Sequence, residues 1–451
     1  MRALAVAVLV LVVGCMPAGP AVTPSPAESP DEATPTPATT PQATSPVAAI
    51  GEIIEARSDA PRNPLAAATT EQLAEMVAAD RAFAFDLYRT LVAEEDGNLF
   101  MSPYSISTAM SIVLAGARGQ TADELAAALA VDGAGDFWHE ARNRLELELA
   151  AIADVEWPGE GDGVPLTLEP TNAVFGQAGY PFKPDFLDIL AANYGAGMNA
   201  VDFITQWEAS RVAINEWVAE RTRDRIEELL PEGSITDMTR AVLVNAIYFK
   251  ANWIRQFDPE LTDASQFHLL DSTSVEVQMM HGSARRPYAA ADGWQAVELS
   301  YHGGPSMVII VPEDGRFADI EAQLDADLVA QIDDQFSDHI VDLSLPRWET
   351  TSDLDLIPPL QSLGVELLFD RDEADLTGIA DVEQLFISNV LHQANITVDE
   401  EGTEAAAATA AIGEATSAPP PATLTVDRPF IYLIRDGASG EILFLGRLLE
   451  P

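Results

Sequence analysis

From Thr70 to Pro451 the chain carries patterned apolar segments with nothing between them that reads as a linker. That continuity constrains the architecture more than any other feature. A length of 451 residues suggests about three domains. No Pro/Gly/Ser-rich break divides this stretch, however, so it is read as one large domain. Met76, Ala79, Phe83, Leu87 and Leu91 recur at three- and four-residue spacing, the stripe of one helical face. Strand-type apolar runs come later, at Ala241 to Phe249, Met307 to Pro312, Val341 to Pro346, Ile431 to Ile434 and Ile442 to Leu445. Helical patterns crowd the first half and strands the second, without internal repeats. The expectation is a mixed α+β fold.

The N-terminal part has another texture. Met1 and Arg2 precede an unbroken apolar run, Ala3 to Val13, which Gly14 and Cys15 close. The run is too short to span a bilayer as a helix and fits a signal-peptide core. A small residue before the cysteine resembles the bacterial lipoprotein box, which implies cleavage before Cys15 and lipidation of its sulfur. Several acyl chains anchor stably where one holds only marginally. Met16 to about Leu65 is rich in Pro, Ala, Thr and Ser, and no aromatic residue appears before Phe83. Such a segment cannot bury enough apolar surface to offset its ordering entropy. The expected organisation is a signal peptide over 1–14, a lipidated and disordered linker over 15–66, and a globular domain over 67–451. Cys15 is the only cysteine, so no intrachain disulfide can form and the fold must stand on packing.

Charge excludes some functions. Lys and Arg total 24 against 72 Asp and Glu, a net charge of −48. Nucleic-acid binding and polybasic membrane contact both need clustered cations. Catalytic signatures are also scarce. There is no G-x-S-x-G elbow, no H-E-x-x-H helix and no Gly-rich phosphate loop. The six histidines, at 139, 268, 281, 302, 339 and 392, are scattered without ligand spacing on a helix. The acidic stretches at 132–136 and 160–162 lack calcium-loop spacing and read as solvated loops. No metal or cofactor is expected, and the chain is not read as an enzyme.

One stretch near the C-terminus is odd. Glu400, Glu401, Gly402, Thr403 and Glu404 lead into an alanine-rich run ending at Ala411, and Pro419 to Pro421 follow. Alanine favours helix and is a poor strand former. A helix followed by a loop is one reading. The other is a mobile segment kept free of bulk so that it can slip between strands, where a core-facing charge or a proline would block it.

Several motifs then point the same way. Asn98 to Ser107, Gly116 to Thr121, Thr171 to Phe175, Val244 to Phe249, Leu424 to Ile434 and Phe444 to Arg447 together resemble the serpin family, over essentially all of Thr70 to Pro451. The resemblance implies a serpin fold. It has a five-stranded central sheet, two smaller sheets, about nine helices and an exposed reactive loop. It also implies a metastable inhibitor that a serine protease cleaves, whereupon the loop inserts as an extra strand.

Carried onto this chain, the resemblance makes Glu400, Gly402, Thr403, Glu404, Ala405, Ala406, Ala407, Ala408 and Thr409 hinge residues: Gly402 starts the hinge, and Thr403 to Ala411 is the part that inserts. Alternation sends Thr403, Ala405, Ala407, Thr409 and Ala411 to one face and Glu404 to the other. Family spacing from Gly402 puts the scissile bond at Thr416–Ser417, with Glu414, Ala415 and Ala418 as alternatives. Small residues around it suit a shallow pocket of the elastase or subtilisin type. Ser102, Ser105, Asn245 and His392 match a buried polar cluster beneath the point where the sheet opens. Trp253 matches a tryptophan at the top of the sheet, and Arg347 with Glu400 a pair bracing the hinge. Gln393 stands where the family often has lysine. The implied partner is a serine protease held covalently by a monomeric inhibitor. Nucleic acid, a heparin site and any membrane contact beyond the lipid are not expected. The expected location is the cell surface or beyond. A serpin fold used for binding or chaperoning is the alternative.

Overall fold

The computed structural model describes residues 51–131, 137–153, 166–403 and 419–451. They fall within one compact unit. Nine α-helices occur among them: α1 (Thr70–Glu94), α2 (Pro103–Gly116), α3 (Gly119–Ala128), α4 (Phe137–Ala153), α5 (Pro184–Ile189), α6 (Phe203–Arg221), α7 (Phe317–Glu321), α8 (Ala326–Gln335) and α9 (Ile357–Ser362). The strands are β1 (Ile54–Ala56), β2 (Leu99–Met101), β3 (Thr167–Gln177), β4 (Met198–Val201), β5 (Ala241–Asn252), β6 (Asp263–His268), β7 (Ser274–Ala291), β8 (Trp294–Ser300), β9 (Ser306–Pro312), β10 (Ser337–Pro346), β11 (Trp348–Asp355), β12 (Ile387–Val398), β13 (Gly402–Thr403), β14 (Pro421–Thr425), β15 (Phe430–Arg435) and β16 (Ile442–Leu448).

Helix α1 starts at a capping box, in which Thr69 and Gln72 satisfy each other's backbone amides, and its stripe of Met76, Phe83, Leu87 and Leu91 is buried as expected. The central sheet runs β1-β4-β3-β5-β13-β12-β11, with β5 also pairing β12 directly. Four of its strands are long (β3, β5, β11 and β12), and β4, β1 and β13 are short, so the five expected strands are joined by β1 at the edge and β13 in the middle. The other strands form a single nine-stranded sheet instead of two smaller ones. The reason is β7, whose 18 residues pair with β6 and β10 along most of its length and with β8 at its C-terminal end.

Strand β5 is buried on both faces, so its sequence reads as a continuous apolar run. Leu243, Ile247, Phe249 and Ala251 face the main core, whereas Val242, Val244 and Ala246 pack against Phe203, Ile214 and Val218 of α6.

The boundary expected at residue 67 lies earlier. Within the presumed linker, β1 pairs antiparallel with β4 at the sheet edge. Arg57 donates to the Gly195 carbonyl at 2.7 Å, the Asn63 amide to Ala192 O at 2.7 Å, and Arg62 to Asn143 at 2.8 Å. These hydrogen bonds compensate for the sparse apolar burial that composition had suggested. The expected signal peptide, Cys15 and the linker as far as residue 50 lie outside the described residues. Among the described residues, no helix is long and apolar enough to cross a membrane.

Candidate functional site

Strands β5 and β12 run parallel and pair from Ala241 and Ile387 up to Ile247 and Ala394. Above that level their direct pairing stops. Ile247, Tyr248 and Phe249 on one side and Asn395 and Thr397 on the other line a cavity of about 10 Å³, closed by Thr222, Arg225 and Ile226. At the top of this seam sits β13. Gly402 pairs with Asn252 and Thr403 with Ala251, both antiparallel, and Thr403 also pairs with Val398 of β12. Gly402 and Thr403, two residues of the expected hinge, are thus stitched between the two strands.

Each stitch has a local cause. The chain reverses between β12 and β13 because the Asp399 carboxylate accepts from the amides of Glu401 (2.9 Å) and Gly402 (3.2 Å), while the Asp399 amide donates to Gly402 O at 3.0 Å. Gly402 has φ +155°, and a Cβ there would stand 2.1 Å from the Ala251 carbonyl oxygen. No other residue fits without moving β5. Thr403 is buried, and its hydroxyl shares a 2.8 Å hydrogen bond with the Tyr301 hydroxyl. Tyr301 stacks on Trp253 with centroids 4.2 Å apart. Trp253 in turn donates its amide to Glu401 O (2.8 Å) and its indole N–H to Asp399 O (3.1 Å).

Arg347 and Glu400 meet as expected, with Arg347 Nε 2.9 Å from Glu400 Oε1. The pair is less superficial than the sequence suggested: Glu400 is only 3% exposed, and Thr262 also donates to its carboxylate. Burial alone would raise the Glu400 pKa, but the hydrogen bonds from Arg347 and Thr262 outweigh it and hold the carboxyl below its usual range.

Lower in the seam the four polar residues singled out from sequence come together, with a fifth. The Ser102 amide donates to His392 Nε2 at 3.1 Å. Nε2 is therefore unprotonated, and the proton on Nδ1 is donated to the Asn245 side-chain oxygen. Asn245 Nδ2 donates to Ser105 Oγ (3.0 Å) and to Asn172 Oδ1 (2.7 Å), and Ser105 Oγ also donates to Asn172 Oδ1 at 2.7 Å. Ser102 Oγ donates to Leu443 O and accepts the Ser105 amide, capping α2. Full burial pushes the His392 pKa down to about 3, so the imidazole is neutral. The His392–Asn245 hydrogen bond crosses the seam between β12 and β5.

Sequence reasoning missed Asn172, Thr262, Asp399 and Tyr301. Asn172 had a signal, a polar amide inside the quoted Thr171 to Phe175 strand. Tyr301 had none, since only the bridge between Trp253 and Tyr301 brings it near the hinge. The side-chain oxygen of Gln393 is buried and has no hydrogen-bond partner among the described residues. Glu404, Ala405, Ala406, Ala407, Ala408, Thr409, Glu414, Ala415, Thr416, Ser417 and Ala418 lie outside the described residues. The described residues begin again at Pro419, and β14 pairs parallel with β10. No group of three or more metal-ligating side chains occurs among the described residues.

The site is thus a seam between β5 and β12, closed at its top by β13 and crossed lower down by a buried polar cluster. Residues 78–451 match the serpin (serine protease inhibitor) family. The chain belongs to that family, whose members are protease inhibitors rather than catalysts. It is 38% identical over 388 residues to the leukocyte elastase inhibitor of Bos taurus and 36% to that of Homo sapiens, in each case over 84% of this chain and 100% of the relative. An uncharacterised serpin-like protein of Thermococcus kodakarensis is 34% identical, over 83% of this chain and 86% of its own length. Among solved structures, maspin is similar with TM-score 0.77 and 25% identity, over 85% of this chain and 100% of maspin. Uncleaved ovalbumin is similar with TM-score 0.73 and 26% identity, over 83% of this chain and 100% of ovalbumin.

Proposed function

We propose that the protein is a single-use trap for serine proteases of the elastase or subtilisin type. The protease serine attacks the Thr416 carbonyl and the bond to Ser417 breaks. Thr416 is left as an ester on the enzyme, and the chain from Ser417 onward carries the new amine. The hinge then continues the strand it has begun. Extending the observed register of β13 sets Glu404 opposite Lys250, Ala405 opposite Phe249, Ala407 opposite Ile247 and Thr409 opposite Asn245. On the β12 side the same count sets Thr409 opposite His392. Thr409 would therefore lodge between the two residues whose hydrogen bond now holds the seam. About ten added ladder hydrogen bonds, at roughly 1 kcal/mol each, yield on the order of 10 kcal/mol. That is enough to drag the acylated protease and distort its triad before water releases it.

The observation that carries this reading is β13, a hinge already hydrogen-bonded into the site of insertion. The small residues from Ala415 to Ala418 favour a shallow primary pocket, and relatives named as elastase inhibitors support that target class. Export and lipid anchoring through Cys15 complete the proposal. Labelling with a radioactive fatty acid should mark the wild type and not Cys15→Ser.

The deciding experiment mixes the purified chain with elastase or subtilisin on a denaturing gel. A covalent band is expected. Clean cleavage without one refutes the trap and favours a binding or chaperone role for the fold. Thr416→Arg should gain a covalent band with trypsin, and failure to do so would move the bait to Glu414, Ala415 or Ala418.

A further inference from the structure

Acids outnumber bases three to one in this chain (72 against 24), so an arginine without an acid is conspicuous. Arg285 and Arg286 in β7, Arg255 just after β5, and Trp253, Glu298 and Ser300 are among the walls of a cavity of about 220 Å³. The carboxylates here are already engaged: Glu298 accepts from Arg435 at 3.0 Å and from Ser306 at 2.6 Å, and Asp338 pairs with Arg285. Arg286 differs from both. It is 4% exposed, lies over the Phe257 ring at 5.4 Å, and makes no ion pair among the described residues. Its Nη1 is buried without a hydrogen-bond partner among the described residues. Burial, together with repulsion from Arg255, pushes its pKa down to about 10, so it remains a cation at neutral pH.

A buried charge with an unsatisfied donor points to a missing ion. We propose that this cavity is a binding site for a small oxyanion, a carboxylate or a phosphate, held by Arg286 and Arg255. The planar guanidinium fork matches both groups. One water needs only about 10–15 Å³, so the cavity accommodates a polyatomic anion. Long polyanions are excluded, because the net charge of −48 repels them before they reach the two arginines. The ligand would lie against Trp253, whose amide and indole hold Glu401 and Asp399 of the hinge.

The test titrates the full chain with sodium phosphate and, in a separate arm, with sodium succinate, replacing sodium chloride at constant ionic strength. Unfolding midpoint and heat of binding are both followed. A saturable rise with 1:1 stoichiometry is expected in at least one arm, and the arm that saturates identifies the headgroup. Arg286→Met should abolish the saturable part, Arg255→Gln should weaken it at least tenfold, and Arg285→Gln should retain it. Should Arg286→Met fail to fold, the Arg255→Gln titration decides. A linear, unsaturable shift in the wild type overturns the site, as does an undiminished affinity in Arg255→Gln.

Discussion

Thr403 shows how much can rest on one side chain. It is buried, bonded to Tyr301, and opposite Ala251. An unpaired charge placed there must be desolvated, at a cost of several kcal/mol. Thr403→Arg should therefore turn the protein from inhibitor to substrate. With elastase the covalent band should fall at least tenfold while cleavage continues, and an undiminished band would rule out insertion through this residue. His392 makes a different prediction. Its pKa is about 3 in the fold against an ordinary 6.5, so its contribution to stability is complete above pH 6.5 and lost as pH falls towards 3. At pH 4.5 about 2–3 kcal/mol of it should be gone. His392→Asn should be the less stable protein at pH 7 in urea unfolding, with the gap narrowing by about that amount at pH 4.5. Ser102, Ser105, Asn245 and His392 were legible as a group only through their motifs, because a lone buried serine or histidine is an ordinary satisfied polar group. Tyr301 and Thr262 were not legible, since the chain folds them in from distant strands.

At the scale of elements, the seam between β5 and β12 is the informative unit. The register of β13 on β5 and on β12 agrees with the register β5 and β12 already share. Opening therefore needs sideways separation and no slip along the strands. The same register brings Glu404 against Lys250, which has no ion pair among the described residues. An exposed pair contributes only about 0–1 kcal/mol. Lys250→Glu should accordingly raise the number of inhibitor molecules consumed per protease by a few-fold, and adding Glu404→Lys should restore it. No recovery in the double variant would show that the register shifts on insertion. Alternation in the sequence already assigned Thr403 to the core face, but the partner across the seam needed the pairing. Two element-scale details were not legible in the sequence. The edge strand β1 is held by hydrogen bonds that composition does not report, and β7 is long enough to join what were expected to be two small sheets.

For the whole molecule, the described fold is only one of two states the same chain should support. In the proposed mechanism, cleavage at the reactive bond would free the hinge to complete its strand, so the clipped protein should outlast the intact one on heating. Circular dichroism of both forms tests this: the intact form should melt at a temperature where the clipped form keeps its signal. Identical melting curves would reduce the protein to an inert scaffold with a cleavable loop. The fold class was readable because six separated motifs agreed over one uninterrupted stretch. The bond itself was not fixed by them, because spacing from Gly402 favours Thr416–Ser417 yet leaves Glu414, Ala415 and Ala418 as alternatives among similar small residues.

In the proposed trap β5 and β12 need only part sideways, and a gate refilled by its own severed strand would have nothing to drive it shut again; emptying it would strip two fresh ladders at once. Such a device cannot be reset. Protection would then be governed by supply, one newly made copy for every enzyme silenced, and no increase in the speed of a single molecule could substitute for making more of them.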